Sequence, residues 1–365
     1  MGVFDAFVDF QGNEMTLDEL SQRVKGDEKL LSRCPTHYLV GRVMPCQMSN
    51  YREERVMRFL CAHQLFTQPA RESYKPLSLA LAFANGSGPA DMIKHCHNNM
   101  QVTAKLFSYL SSNGYKNPED ASNAPFQLAY NTQSHYFDWL RQNPDAQGAF
   151  NSVMTQTQQY RGADWFDIYP VEERLRISPD RVLLVDIGGG VGHDILAFRR
   201  RFPKLSGKLV LQDLPQVIDS LDHYYGDRNP FEVSGAAAEA GGITPIAHNM
   251  FEPQPITGAR VYYMRTVLHD FPDKQALLAL ARVREAMANT PDSVLFVHEH
   301  IMADGLDVPP LAAILDIHMM EIFSSLERTE REWVDLLERA GFRVARVWNE
   351  ESVGQSTALF EAVVV

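Results

Sequence analysis

Apolar positions fall into two patterns along this chain, and the change between them divides it near residue 125. Up to that point they recur at helical spacing. Thr16 and Glu19 form a capping-box pair ahead of Leu17, Leu20 and Val24, so a short helix is predicted there. Val56, Met57, Phe59, Leu60, Ala62 and Leu65 predict a second helix, and Ser73-Tyr74-Lys75-Pro76-Leu77 has the look of the wing that follows a helix pair in winged-helix folds. A third helix is expected from Asp91 to Leu110, then a loop through Gly114, Pro118 and Pro125. The stretch from Cys34 to Glu54 has neither period, and a structureless loop of that length is unusual in a compact domain. It reads as an insertion, either genuine or an intron retained in the gene model; a transcript encoding it throughout would overturn the intron version.

Beyond residue 125 the apolar residues gather in short continuous runs. Leu183, Leu184, Val185 and Ile187 read as a strand buried on both faces and Val261-Tyr262-Tyr263-Met264 as another buried strand, with Leu209 to Leu211, Pro245-Ile246-Ala247-His248 and Ser293 to Val297 as further strands. Helical runs separate them, from Ile195 to Phe202, Lys274 to Met287 and Thr329 to Ala340, the last opened by a Thr329–Glu332 capping box and stopped by Gly341. Phe342 to Trp348 and Thr357 to Val365 close the pattern. Strands alternating with helices predict an α/β fold, a Rossmann-like doubly wound sheet over 126–365, preceded by a helical, winged-helix-like domain over 1–125.

The first strand of this sheet runs into Gly188-Gly189-Gly190, which lets the backbone turn sharply, and the second ends on Asp213. In such a unit the ligand lies beyond the carboxyl ends of the strands. A dinucleotide fingerprint has three spaced glycines with an acid roughly 20 residues on, whereas here Asp186 precedes the glycines. A leading acid suits an amine, and the trailing acid suits ribose hydroxyls. An amino-acid-bearing nucleoside, S-adenosylmethionine, fits both acids best.

A net charge of −12 argues against nucleic-acid or anionic-membrane partners, because those require clustered Lys and Arg. Arg199-Arg200-Arg201 is therefore read as the solvated face of a helix, and the wing-like segment as a structural or dimerisation module rather than a DNA reader. No secretory leader and no run near the ~20 apolar residues of a membrane span occur, so a cytoplasmic location is expected. Cys34, Cys46, Cys61 and Cys96 form no paired framework. Cys34, His37 and Cys46 match no standard zinc spacing, and no metal is expected.

Polar groups stand at the predicted strand ends, where ligands of such sheets sit. Asn249 and Met250 could hold an adenine ring, the amide by hydrogen bond and the thioether by packing. His269, between a strand and Asp270, is a candidate base. A phenol has a pKa near ~10 and must lose its proton to attack a sulfonium methyl, and an imidazole is a suitable acceptor. Glu299 and Glu327 could orient that imidazole, or be surface carboxylates. The aromatic and methionine-rich stretch from Tyr136 to Met154 reads more readily as core than as pocket.

The motifs VDIGGGVGH, LQDLPQVI, YYMRTVLHDFPD and LERTEREW resemble the caffeate-type small-molecule O-methyltransferases, most nearly their fungal secondary-metabolite branch, across nearly the whole chain. The resemblance implies S-adenosylmethionine at Gly188, Gly189 and Gly190 beside Asp186, with ribose on Asp213, adenine near Asn249 and Met250, and the carboxylate end near Arg265. It implies His269 as general base flanked by Glu299 and Glu327, and an acceptor pocket with Phe150, Met154 and Asp270. It also implies a small aromatic substrate and a homodimer. Asn249 stands where the family has an aspartate, and Ser324-Ser325-Leu326 where it has Gly-Gly-Lys. Met1-Gly2-Val3-Phe4 resembles the inside of a family helix, so the leading dimerisation helices are expected to be missing and dimerisation weakened. Two other readings are a lyase or pericyclase that uses the bound sulfonium only as a charge, and an inactive truncated homologue.

Overall fold

A computed structural model describes residues 2–24, 55–158, 163–231, 242–305, 308–349 and 357–365. The expected insertion at Cys34–Glu54, with Cys34, His37 and Cys46, lies outside the described residues. The chain forms two compact units, one of residues 1–98 and 144–159, the other of residues 99–143 and 160–365. The expected boundary near Pro125 thus falls inside the second unit. Tertiary contacts are the reason: the Thr103 hydroxyl donates to Glu321 (2.9 Å), the Tyr109 hydroxyl to the carbonyl of Asn123 (2.6 Å), and Lys274 pairs with Asp120 (3.0 Å). Ala121 is buried in the same core as the sheet.

The first unit has short helices at Val3–Asp9, Leu17–Arg23 and Arg55–Ala62 around a three-stranded sheet of β1 (Met15–Thr16), β2 (Phe66–Ala70) and β3 (Ser73–Pro76), in the order β1-β3-β2. The Thr16–Glu19 capping box is present. Phe7, Leu20, Met57, Phe66 and Tyr74 bury together, so the predicted wing is a hairpin anchored on the helix pair. The predicted third helix extends from Gly88 to Ser112.

The second unit is built on seven strands: β4 (Val182–Ile187), β5 (Lys208–Asp213), β6 (Ile243–Ala247), β7 (Val261–Arg265), β8 (Val294–His300), β9 (Phe342–Asn349) and β10 (Thr357–Val364). Their order is β6-β5-β4-β7-β8-β10-β9, parallel except for β10, which runs antiparallel to both neighbours. In β4, β5, β7 and β8 the continuous apolar runs are buried on both faces, whereas β6, at the sheet edge, is only partly buried. Tyr262 and Met264 enter one core with Trp333, Leu336 and Leu337, while Val261 and Tyr263 enter the other with Trp165, Ile195 and Phe198. Strand order reverses between β4 and β7, and ligand crevices of open α/β sheets form at such switch points. Arg199 differs from its reading as a solvated side chain: its guanidinium is half-buried and donates to the carbonyls of Leu205 and Gly207, tying off the loop before β5. No helix among the described residues is long and apolar enough to cross a membrane.

Candidate active site

The glycine turn closes the end of β4 onto β5. The N–H groups of Gly188 and Gly189 both donate to the carbonyl of Gln212, and that of Gly190 donates to Asp213 Oδ2 (2.8 Å). Asp213 Oδ1 accepts from Leu214 N–H (2.7 Å), so the carboxylate is held by backbone on both sides. Burial raises its pKa, and these two N–H groups pull it back. At Gly189 a Cβ would lie 2.6 Å from the Asp186 carboxylate and from Leu211, whereas at Gly190, with φ +60°, it would meet nothing within 4 Å. The turn is therefore packed tight beneath and bare above, which admits close approach of a ligand.

Asp186 is 2% exposed, and its Oδ2 has no hydrogen-bond partner. Burial, then the Asp194 and Asp213 carboxylates, push it well above the usual carboxylate range. Arg265, at the end of β7, reaches Asp194 (3.2 Å), which also accepts from the Tyr263 hydroxyl (2.7 Å). Sequence reasoning singled out neither Asp194 nor Tyr263. Asn249 is exposed and its Oδ1 accepts from Phe251 N–H (3.1 Å), so its carbonyl already closes a local turn. Met250 and Phe251 pack on the core beside it, and the Phe251 ring meets Phe271 edge-on (5.2 Å).

After β7 the chain makes an abrupt turn. Thr266 has φ +46°, strained for a β-branched residue, and the N–H groups of Val267 and Leu268 then both point at Glu299 Oε1 (3.0 and 2.9 Å). Glu299 is wholly buried and thus works on the turn's backbone; burial, only partly offset by His269 and the two N–H groups, raises it to about 7. Glu327, by contrast, meets the imidazole itself, with Oε1 3.1 Å from His269 Nδ1. The other ring nitrogen, Nε2, is 3.5 Å from Asp270 Oδ1.

His269 is thus held between carboxylates, with its side chain 13% exposed. Burial alone favours the neutral ring, but Asp270, Glu327 and Glu299 outweigh it and raise His269 from 6.5 to about 10. Burial likewise raises Asp270 to about 6, against the pull of His269, while the pairing with His269 outweighs burial at Glu327 and lowers it. A second imidazole, His300, lies 5.9 Å away ring to ring and is driven down to about 4 by burial and by the His269 charge, so it stays neutral. Because folding raises the His269 pKa, its contribution to stability is fully present below about 6.5 and is lost as pH rises through about 10. Melting temperatures are expected to fall between pH 7 and pH 10, and His269→Gln is expected to remove that His269-dependent part of the fall.

Phe150 and Met154 belong to the first unit, on the helix Pro144–Gln158, where Phe150 packs on His95 (6.0 Å) and Met154 is 39% exposed. The other candidate residues lie in the second unit. The described residues include no group of three or more His, Cys, Asp or Glu side chains able to hold a metal.

Residues 111–343 match the model of the O-methyltransferase domain family. The chain is 32% identical over 292 residues to demethylsterigmatocystin 6-O-methyltransferase of Aspergillus flavus, covering 80% of this chain and 70% of that one. Among solved structures it resembles OxaC in complex with sinefungin and meleagrin, with a TM-score of 0.75 and 25% identity over 100% of this chain and 84% of that one. It also shares the fold of a pericyclic reaction enzyme, with a TM-score of 0.74 and 24% identity over 100% of this chain and 86% of that one.

Proposed function

The chain belongs to the O-methyltransferase family, and from that premise we propose that His269 is the general base for methylating a phenolic or enolic hydroxyl of an aromatic, polyketide-like metabolite. The protein is an S-adenosylmethionine-dependent O-methyltransferase acting on a small molecule. The aromatic acceptor is supported by the Aspergillus flavus relative, whose named substrate is demethylsterigmatocystin. The observation that carries the base assignment is the imidazole of His269 with Glu327 on one nitrogen and Asp270 beside the other.

The residues at the glycine turn suit the cofactor. Asp186 keeps a buried, unpartnered oxygen, and Gly190 presents bare backbone over open space. In this reading Asp213 takes the ribose hydroxyls, Asp186 the amine end, Arg265 the carboxylate, and Asn249 and Met250 the adenine, with Gly188, Gly189 and Gly190 as the floor. S-adenosylmethionine, when bound, supplies the electrophilic methyl group. The chain's own work is on the acceptor. Its hydroxyl proton passes to His269 Nε2, and the resulting imidazolium is stabilised by Glu327 at Nδ1 and by Asp270. Alignment of the oxygen with the methyl supplies most of the remaining acceleration.

Incubation with methyl-labelled cofactor and a panel of phenols tests the proposal. Label is expected in at least one phenol; bound cofactor with no transfer to any of them would overturn it. The pericyclase alternative draws only on fold, and an inactive homologue leaves unexplained why an imidazole should be buried among carboxylates at a cost in desolvation. A cytoplasmic location completes the proposal.

A further inference from the structure

Six residues, Ser324 to Thr329, connect the helix Pro310–Phe323 to the helix Glu330–Arg339, and they close on the turn that carries His269. Arg328 is 1% exposed, an unusual state for a guanidinium. Its Nη1 donates to the carbonyl of Leu268 (3.4 Å) and its Nη2 to that of Phe271 (2.9 Å), one on each side of His269. Nη2 and Nε also reach Asp273 Oδ1 (2.8 and 3.2 Å), and the guanidinium lies over the Trp333 ring at 4.8 Å. The Ser325 hydroxyl donates to the carbonyl of His269 itself (2.5 Å). The same connection is anchored elsewhere: Ser324 Oγ donates to the Asn123 carbonyl, Glu327 N–H to Asp316 Oδ1 (2.8 Å), and the Arg328 carbonyl accepts from Met302 N–H.

We propose that Arg328 and Ser325 are positioning residues for His269, holding by its backbone carbonyls the turn whose N–H groups Glu299 holds from the opposite side. The inference rests on the reading of His269 as the base. The bonds are complementary. Glu299 takes the N–H groups of Val267 and Leu268, while Arg328 and Ser325 take the carbonyls of Leu268, His269 and Phe271. A planar fork can span two carbonyls and a carboxylate at once, which a lysine ammonium on a flexible stem cannot do in the same geometry. The stretch also carries Glu327, so one connection places both the imidazole and the carboxylate on its Nδ1. Around the ring stand Asp270 from the same turn, Glu299 and His300 from β8, and Glu327 from the connection.

The test uses the full chain with Arg328→Lys and Ser325→Ala, which leave the charges around His269 unchanged. The ring of His269 is titrated by nitrogen NMR, with His269→Gln identifying its signals, and transfer is followed with a phenol that the unaltered protein accepts. In both variants the His269 midpoint is expected to fall by about one pH unit or more toward 6.5, because the ring swings away from its carboxylates. For Arg328→Lys kcat is expected to drop ~10-fold or more, with the KM for cofactor within about twofold, as misplacement of a reacting group acts on the transition state. Folded variants with lower melting temperatures but an unmoved His269 midpoint and kcat would make the clasp purely structural and overturn the proposal. Should Arg328→Lys fail to fold, Ser325→Ala decides alone. Undiminished transfer by His269→Gln would refute the base reading, and the NMR result would still judge the clasp.

Discussion

His269→Ala is expected to lower methyl transfer by roughly 10²- to 10⁴-fold, the usual contribution of a positioned general base, while cofactor affinity stays within about 1 kcal/mol. The imidazole's polar partners are Glu327 and Asp270, so its loss should fall on kcat. Equal loss of cofactor binding by calorimetry would show that His269 instead holds the cofactor site together. The prediction has a pH signature as well. With the ring raised to about 10, only a minority is in the proton-accepting form at neutral pH, so transfer should climb with pH until that ring has titrated. A profile flat from pH 6 to 9 would assign the base elsewhere.

Trp333→Ala is expected to cost ~3–5 kcal/mol of stability, a large share of what a domain of this kind possesses. Trp333 is wholly buried in the core on one face of the sheet, with Leu336, Leu337 and Phe342. Its indole N–H donates to the carbonyl of His300 (3.0 Å), and its ring lies under the Arg328 guanidinium. Removing it opens a cavity, leaves the half-buried His300 carbonyl without that donor, and takes the support from the Arg328 fork. Denaturant melts should show the loss directly. A variant within 1 kcal/mol of the parent would mean that the face repacks.

Much of the architecture was legible in the residues. Continuous apolar runs such as Val261 to Met264 predict two-sided burial because no polar position interrupts either face, and the sheet bears that out. Capping boxes at Thr16 and Thr329 are local chemistry within four residues, and both form. The helix Pro310–Phe323 escaped attention because it is apolar on several sides, with Leu311, Ile314 and Ile317 exposed, and so lacks a clear amphipathic period.

Strand-end position singled out Asp186, Asp213 and His269, since ligands of parallel sheets gather at the carboxyl edge whatever the fold's details, while Arg265 came from the family resemblance. By itself, then, the sequence determined the α/β class, the glycine turn with its flanking acids, and an imidazole beside an acid after a strand end. What it could not separate were residues of the same type doing different work. Glu299 and Glu327 look alike in the chain, yet one caps a backbone turn and the other meets the ring. Arg328 looks like any helix-leading arginine, yet it is buried and grips carbonyls on both sides of His269. Only the tertiary structure decided these roles. Such partners lie some 60 positions apart in the case of Arg328 and Leu268, and a hydrogen bond depends on separation in space, on which local periodicity is silent.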